Sequence, residues 1–418
     1  MTREQLIEEA LALYKVKNRL IAEWATGVGK SKLAIEIIRR LYTSLTQGCF
    51  PGGICFPKVL LLVAETAHKQ NWQDEFTKWG DDFLWHYMTV ECYASLKNHK
   101  DETYDLIILD EGHHSTSDIR TDCLNSITSN GVLVLSATLN NDIKDNLRDT
   151  FGEFNYHSVT LKQATEWNIL PIPQIYFIPL ELEAIKSDQT LVIEWGKTAL
   201  RQTIHCDMKE RWTYMKNRTT YPNMKLIIPC TELEKYQYLC EQFEYYKRIY
   251  FQTKTEIMKN KWLQIGSARK IFLGEMKTPF IHTLVEKLRK KHRRFICFCV
   301  SILQVDILGG KNAIHSKKRF NQEIIASFNN KEISNLFAVG MLQEGQNLVD
   351  IEAGIITQLD GSERPFIQKF GRTLRAKNPK QFIFYYKNTR DEEFLNNIMD
   401  EINMDYVTVV ENLKQLEI

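Results

Sequence analysis

Short apolar segments rich in β-branched residues recur along this chain and alternate with longer segments of helical periodicity. Because they lack alternating polar residues, such segments are typical of strands that are buried on both faces of a parallel sheet. Strands that alternate with helices predict an α/β fold, and the pattern occurs twice. The segments are Val59–Val63, Leu106–Leu109 and Val132–Leu135 in the first part, and Phe295–Phe298, Leu336–Val339, Ile355–Ile356 and Phe382–Phe384 in the last part.

The stretch between the two α/β patterns, about Leu180 to Gly266, is richer in helix-forming and aromatic residues. Leu170–Gln174 contains two prolines and is interpreted as an extended linker, since proline biases the preceding residue away from helix. We therefore expect one α/β domain at residues 1–165 and a second at 166–418, with a mainly helical insertion at about 180–266. The aromatic residues at 236–251 suit a core between helices better than a platform for stacking bases.

Composition excludes several classes of protein. The 418 residues are 25% charged and 44% hydrophobic. No apolar run approaches the roughly 20 residues that a membrane-spanning helix needs. The charged residues at the N-terminus leave no apolar core for a signal peptide, so we expect a cytoplasmic protein without a membrane partner. The net charge is −6 over residues 1–160 and +8 over 161–418, and the basic second part favours a polyanionic partner.

Ala25–Ser31 has the composition of a phosphate-binding loop and opens a segment whose apolar residues recur at helical spacing. Glycine lets the backbone approach a phosphate and direct N–H groups at its oxygens, and the following helix adds its dipole. Lys30 is expected to contact the β- and γ-phosphates, and the Ser31 hydroxyl to ligate Mg²⁺. Trp24 stands where the general pattern has its first glycine. The predicted nucleotide-binding residues here are Thr26, Gly27, Val28, Gly29, Lys30 and Ser31.

Two carboxylates, Asp110 and Glu111, come directly after the apolar run Leu106–Leu109. In open α/β sheets, ligands bind outside the carboxyl ends of the strands. Asp110 can hold Mg²⁺ there through water, and Glu111 can orient and deprotonate an attacking water. An acidic pair after a strand is by itself more often a solvated turn or a helix cap. The upstream phosphate loop is what favours the catalytic interpretation.

Four segments occur in a fixed order after the phosphate loop: Asp110–His113, Ser136–Thr138, Leu342–Leu348 and Gln368–Arg375. In that order they resemble motifs II, III, V and VI of the superfamily 2 helicases and translocases of the DExH type, motif VI having the pattern Q-x-x-G-R-x-x-R. The resemblance implies two tandem RecA-like domains with ATP and Mg²⁺ between them. The compact build of the chain is similar to that of phage-encoded helicases.

The same resemblance implies roles for individual residues. Arg372 and Arg375 are expected to reach the nucleotide from the second domain and stabilise charge on the transferring phosphate, as catalytic residues beside Lys30 and Glu111. Gly345, in motif V, is expected near the nucleotide. Gln5, preceded by Arg3, lies at about the spacing of the superfamily's adenine-reading glutamine. The residues expected to couple the nucleotide site to the nucleic-acid site are His113, Ser136, Thr138 and Gln368.

Two further segments resemble motifs that contact the nucleic-acid backbone. Glu65–Trp72 is similar to motif Ia, and Tyr93–Leu96 is similar to motif Ib. The resemblance implies phosphate contacts from Thr66, Lys69 and Ser95, whose hydroxyl and ammonium groups suit that role. Trp72 is assigned to core packing rather than to base stacking.

These observations predict a nucleic-acid-dependent ATPase: a monomeric helicase that moves along and unwinds DNA, with RNA as the less favoured substrate. Two other functions stay open. One is a double-strand DNA translocase that hydrolyses ATP without unwinding. The other is a nucleic-acid-binding structural component in which ATP acts only as a switch. The presence of Lys30, Glu111, Arg372 and Arg375 together argues against the switch.

Overall fold

The computed structural model describes residues 1–48, 55–184, 190–195, 201–205, 224–227, 231–340, 348–361, 363–374 and 376–416. The chain forms two compact units. The first consists of Met1–Pro179 and Thr278–Ile418, and the second consists of Leu180–Lys277. Among the described residues, no helix combines the length and apolar character needed to cross a membrane.

The N-terminal part of the first unit contains a six-stranded parallel sheet in the order β3-β2-β4-β5-β1-β6. Its central strands β4 and β5 contain the buried apolar runs Leu106–Leu109 and Val132–Leu135, because neighbouring strands and helices cover both faces there. The strands are β1 (Arg19–Trp24), β2 (Val59–Val63), β3 (Met88–Cys92), β4 (Thr103–Asp110), β5 (Thr128–Ser136) and β6 (Asn155–Val159). The helices are α1 (Arg3–Lys17), α2 (Lys30–Gly48), α3 (Thr66–Trp79), α4 (Asp82–Trp85), α5 (Asp118–Ser126), α6 (Asn141–Phe151) and α7 (Leu161–Glu166), with short 3₁₀ turns at Tyr93–His99 and Gly112–Ser115.

A second sheet of seven strands lies in the remainder of the first unit, in the order β12-β13-β11-β14-β15-β7-β16. Its strands are β7 (Gln174–Leu180), β11 (Phe295–Phe298), β12 (Ala313–Ile314), β13 (Asn335–Ala338), β14 (Ala353–Ile356), β15 (Lys380–Tyr386) and β16 (Val407–Val409). Its helices are α10 (Thr278–Lys290), α11 (Ile302–Gly309), α12 (Asn321–Asn329), α13 (Glu363–Thr373) and α14 (Arg390–Ile398), with 3₁₀ turns at Gly310–Asn312, Met399–Glu401 and Met404–Tyr406. The chain thus passes from the first sheet to the second between Val159 and Gln174. Two parallel-strand sheets covered by helices confirm the predicted α/β class.

The second unit combines strands with a pair of long helices. Its antiparallel sheet has the order β10-β8-β9, and the expectation of a mainly helical segment did not include these strands. They are β8 (Thr190–Trp195), β9 (Arg201–His205) and β10 (Met224–Ile227). The helices α8 (Glu232–Thr253) and α9 (Glu256–Met276) form a hairpin whose turn lies at Lys254 and Thr255.

Strand β14 carries a glycine where helix α13 packs on the second sheet. A Cβ atom at Gly354 would lie 2.5 Å from Gln381 Oε1 and 2.7 Å from Thr373 Cγ2. Both neighbours are fully buried, so neither side chain can turn towards solvent. The absence of a side chain at residue 354 therefore sets how closely the last turn of α13 approaches the sheet.

We predict that Gly354→Ala lowers the free energy of unfolding by about 1–3 kcal/mol, the usual cost of overpacking a buried site. Urea denaturation of the variant and the wild type measures the difference. Gly48→Ala is the matched control, because a Cβ atom there would meet no atom within 4 Å. Equal stability of Gly354→Ala and Gly48→Ala would show that α13 can move away from the sheet without loss.

Candidate nucleotide and nucleic-acid site

The predicted phosphate loop connects the carboxyl end of β1 to the first turn of α2. Gly27 and Gly29 have φ angles of +89° and +127°, which L-amino acids with a side chain rarely adopt. The Lys30 ammonium donates a hydrogen bond to the Trp24 carbonyl oxygen at 2.9 Å. Ser31 lies in the first turn of α2, where the positive end of the helix dipole favours an anion. The segment therefore joins a strand to the start of a helix, and its predicted contacts with a nucleotide stay a prediction.

Arg3 fixes this loop from the side of the N-terminal helix. Its Nε donates to the Val28 carbonyl at 3.0 Å, and its Nη2 donates to the carbonyls of Gly27 at 3.4 Å and Ile169 at 3.1 Å. Arg3 thus joins α1, the loop and the segment that leads to β7. From the sequence, Arg3 was expected only to accompany Gln5.

Gln5 has a second role in the structure. Its Oε1 accepts a hydrogen bond from the Thr2 backbone N–H at 2.8 Å, and the Thr2 hydroxyl accepts one from the Gln5 backbone N–H, which together cap α1. The side chain is exposed. Its predicted contact with adenine stays a prediction.

Trp24 explains the departure from the general phosphate-loop pattern. The side chain is fully buried, and its Nε1 donates to Nδ1 of His157 on β6 at 2.9 Å. The backbone of the same residue supplies the carbonyl that Lys30 contacts. A large residue is tolerated at this position because its side chain packs into the domain.

Asp110 ends strand β4 and is held on several sides. The Trp72 indole Nε1 donates to its Oδ2 at 2.8 Å, and the Glu111 backbone N–H donates to its Oδ1 at 3.1 Å. Burial and the neighbouring Glu111 raise the pKa of Asp110 to about 6, against the opposing effects of Trp72 and Lys30. The assignment of Trp72 to the core is therefore incomplete, since its indole also orients this carboxylate.

Glu111 adopts a left-handed backbone conformation, with φ at +49°. This conformation is uncommon outside glycine and is often found where a side chain must be directed at a ligand. Glu111 Oε2 is buried and makes no hydrogen bond with any residue that the structure describes. His113 Nδ1 lies 3.5 Å from the same oxygen. The carboxylate is thus in place for a further donor, such as water.

The predicted motif III follows strand β5. The buried Ser136 hydroxyl donates to the Thr138 carbonyl at 2.9 Å, which closes the turn on itself. Thr138 lines a cavity of about 640 Å³ together with Glu23, Asn140, Arg364 and Ile367. Because Arg364 and Ile367 belong to α13, this cavity borders both α/β sheets. Thr138 therefore lies between the first sheet and α13, and the coupling role expected of Ser136 and Thr138 stays a prediction.

Helix α13 brings the predicted motif VI against the phosphate loop. A Cβ atom at Gly371 would lie 2.7 Å from Thr26 Cβ and 3.1 Å from the Thr26 carbonyl oxygen. The adjacent Arg372 is buried, with 7% of its surface exposed, and Gln368 on the same helix is 4% exposed. The predicted residues Arg375 and Gly345 lie outside the described residues.

The residues predicted to contact nucleic acid follow neighbouring strands of the first sheet. Thr66 begins α3 after β2, and Ser95 lies in the 3₁₀ turn after β3. Thr66 Oγ1 lies 3.8 Å from Cys92 Sγ, which places the starts of these two segments side by side. Lys69 forms an ion pair with Glu91 at 3.1 Å, so its ammonium must exchange partners before it binds a phosphate.

The residues at the end of β4 and the start of α2 also fit a magnesium ion. Within the described ranges, no cluster of three or more His, Cys, Asp or Glu side chains could hold a metal. Mg²⁺, however, is commonly bound by one or two protein oxygens together with substrate phosphates and water. Ser31 and Asp110 supply such oxygens, and a cation would favour the ionised form of the buried Asp110 carboxyl.

Two family models match separate parts of the chain. Residues 2–91 match the res subunit of type III restriction enzymes, and residues 276–377 match the helicase conserved C-terminal domain. The first match includes the phosphate loop, and the second includes Gln368 and Arg372. No protein in a curated collection matches the chain.

Solved structures with the same architecture cover nearly the whole chain. Dbp5 of S. cerevisiae, bound to RNA and ADP BeF3, is 12% identical, with a TM-score of 0.55 over 97% of this chain and 89% of that one. A fragment of a putative HsdR subunit of a type I restriction enzyme from Vibrio vulnificus YJ016 is 16% identical, with a TM-score of 0.54 over 98% of this chain and 68% of that one. At these identities the similarity concerns the fold. The predicted pair of tandem RecA-like domains is confirmed.

The raised pKa of Asp110 predicts a pH-dependent stability. The folded carboxyl, with its pKa of about 6, binds protons more tightly than the unfolded one, with an ordinary pKa of about 3.9. This tighter proton binding stabilises the fold at low pH. The stabilisation is therefore lost as pH rises from about 4 to 6.

We predict that Asp110→Asn is more stable than the wild type at pH 7, by on the order of 1–3 kcal/mol, and that this advantage disappears near pH 4. Urea denaturation across this pH range, in EDTA and without nucleotide, measures it. A constant difference at all pH values would contradict the assignment to Asp110.

Proposed function

The chain belongs to superfamily 2 of the helicases, and from this premise we propose that it is an ATP-dependent helicase that moves along DNA and separates its strands. The superfamily is one of ATP-driven enzymes that act on nucleic acid. Beyond this general activity, we propose that both RecA-like domains take part in hydrolysis, that the nucleic acid is DNA, and that the enzyme separates the two strands.

The observation that carries the proposal is the close packing of Gly371 on Thr26. It joins the predicted motif VI of the second RecA-like domain to the phosphate loop of the first. A nucleotide held by the loop is then within reach of groups from both domains. ATP binding and release can therefore change how the domains approach each other, which is what a motor requires.

The described side chains divide the chemistry among them. Lys30 and the N-terminus of α2 neutralise the phosphates, and the buried Arg372 adds a permanently charged donor from the second domain. Glu111 orients the water that attacks the γ-phosphate and accepts its proton. Mg²⁺, when bound through Ser31 and Asp110, neutralises charge that develops on the phosphates. Arg375 and Gly345 keep the catalytic and nucleotide-binding roles that the superfamily resemblance implies.

The nucleic-acid contacts proposed here are to the backbone, from Thr66, Lys69 and Ser95. Such contacts position a strand and do not distinguish bases. Similarity to subunits of type I and type III restriction enzymes supports DNA as the substrate. The fold also accommodates RNA, as the Dbp5 structure with bound RNA illustrates. We propose DNA first and RNA as the alternative.

Two assays test the function and separate it from its alternatives. The first measures ATP hydrolysis with single- and double-stranded DNA and RNA, and no stimulation by any of them would refute a nucleic-acid motor. The second measures displacement of a labelled strand from a tailed duplex. Stimulation by duplex DNA without displacement would assign the chain to the double-strand translocases.

We predict that Lys30→Ala and Glu111→Gln each lower the nucleic-acid-stimulated turnover by roughly a hundredfold or more, because they remove phosphate neutralisation and the base for water. Lys32→Ala is the matched control on the same helix. The Lys32 ammonium is partly exposed and lies 3.9 Å from Glu4 Oε1 and 4.2 Å from the centroid of the Trp79 ring. Because it faces these side chains, we expect Lys32→Ala to leave turnover near the wild-type value. Turnover near wild type in Lys30→Ala or Glu111→Gln would refute the assignment of these residues.

We predict a different kinetic pattern for Arg372→Ala. If the guanidinium acts mainly on the transition state, kcat falls by roughly a thousandfold, whereas the affinity for a fluorescent ATP analogue changes little. Arg364→Ala on the same helix is the control for a general loss of positive charge. Equal loss of analogue binding and of kcat would show that Arg372 acts in ground-state binding or in folding instead.

A further inference from the structure

The helical hairpin of the second unit has charges that are separated along its length. Residues 245–263, at the turn end, contain five basic side chains and one acidic one. Residues 232–244 and 264–276, at the open end, contain three basic and five acidic ones. We call residues 245–263 the hairpin tip. The tip is therefore positively charged although the hairpin as a whole is nearly neutral.

Three of the five cations of the tip have no carboxylate partner in the part of the chain that the structure describes. Lys247 and Lys259 form ion pairs within their helices, with Glu244 at 3.9 Å and Glu256 at 3.2 Å. Arg248, Lys254 and Lys261 are exposed and form no ion pair with any residue in the described part of the chain. Three exposed cations at one end of the hairpin, without an ion pair among the described residues, favour a polyanionic ligand.

The tip also exposes aromatic rings that the sequence analysis assigned to a core between helices. Tyr245 is 47% exposed and Phe251 is 53% exposed. Phe251 lies beside Trp262, with ring centroids 6.0 Å apart, so the ring is held in place while much of its surface is in solvent. The core assignment for the 236–251 aromatics is thus wrong for these two residues and for Tyr238, which is 53% exposed.

A cation lies against these rings. The Lys254 ammonium lies 4.5 Å from the Phe251 ring centroid and 5.5 Å from that of Tyr250, whose ring stacks on Trp262 at 5.7 Å. The backbone of Lys254 is left-handed, with φ at +50°, and it ends helix α8. Aromatic faces with adjacent cations are the arrangement that binds stacked bases and their phosphates together.

We propose that the hairpin tip binds a single-stranded segment of nucleic acid, with bases stacked on Tyr245 and Phe251 and phosphates contacted by Arg248, Lys254 and Lys261. This surface is additional to the contacts proposed for Thr66, Lys69 and Ser95. Single strands are the specific ligand because only unpaired bases offer free faces to stack. The choice of nucleic acid rests on the proposed function, whereas the charge and the exposed rings belong to the hairpin itself.

The experiment compares three variants of the full chain. The double variant Tyr245→Ala, Phe251→Ala removes both rings, and the double variant Arg248→Glu, Lys261→Glu reverses two cations. The matched control is Tyr238→Ala, since Tyr238 is 53% exposed on the same helix but outside the tip. All substituted side chains are exposed, and thermal denaturation checks that the variants fold.

We expect each double variant to bind a fluorescent single-stranded oligonucleotide at least tenfold more weakly than the wild type. The ring variant loses the stacking of bases, which contributes appreciably to affinity. The charge-reversal variant loses attraction to the phosphates. ATP hydrolysis without nucleic acid stays unchanged, and Tyr238→Ala binds like the wild type. The salt dependence of binding becomes less steep in the charge-reversal variant. In the ring variant, the loss is smaller for a blunt duplex than for the single strand.

If either double variant binds the single strand as tightly as the wild type does, the proposal is overturned. A protein partner is then the alternative ligand of the tip. Equal losses for the single strand and the duplex overturn the stacking of unpaired bases. Failure of the proposed function is seen separately, in the wild type, as absence of stimulation of ATP hydrolysis by every nucleic acid. A wild type that binds no oligonucleotide overturns both.

Discussion

The close approach of Gly371 to Thr26 is the contact on which the rest of the active arrangement depends. It requires a glycine on helix α13, because any side chain there would collide with the phosphate loop. It also requires that α13 lie close to the second sheet, which Gly354 permits beneath its last turn. Two glycines, Gly371 on the helix itself and Gly354 on the strand beneath it, therefore set the position of Arg372.

The first RecA-like domain has its own supports around the nucleotide site. Arg3 binds the carbonyls of Gly27 and Val28 and also that of Ile169, in the segment that leads to the second sheet. A movement of that segment is therefore transmitted to the phosphate loop through one side chain. Trp72 similarly joins α3, which begins at the predicted nucleic-acid contact Thr66, to Asp110. Short polar contacts of this kind give the candidate nucleotide site and the predicted nucleic-acid contacts a physical connection.

The sequence predicted the sheets well and their connections poorly. Strands such as β2 and β11 match the predicted segments because a strand covered on both faces must be apolar throughout. The positions of Ala25–Ser31 after β1 and of Asp110 and Glu111 at the end of β4 also follow from the sequence, whereas their chemical roles stay predictions. The contact of Arg3 with Ile169, by contrast, joins residues far apart in the chain, and no local pattern predicts it. Tyr245 and Phe251 were misassigned because hydrophobicity alone does not tell a buried ring from an exposed one.

The features that cost the fold free energy coincide with the proposed ligand sites. Burying Asp110 beside Glu111 raises the pKa of a carboxyl that must be ionised to bind a cation. Glu111 adds a left-handed backbone, and its buried oxygen lacks a hydrogen bond within the described structure. The hairpin tip exposes Phe251, and Arg248 forms no ion pair with any residue that the structure describes. The proposed ligands would each relieve one of these costs: a cation and water at the end of β4, and a single strand of nucleic acid at the tip. Local conflicts of this kind are expected at functional sites, because folding alone would select against them.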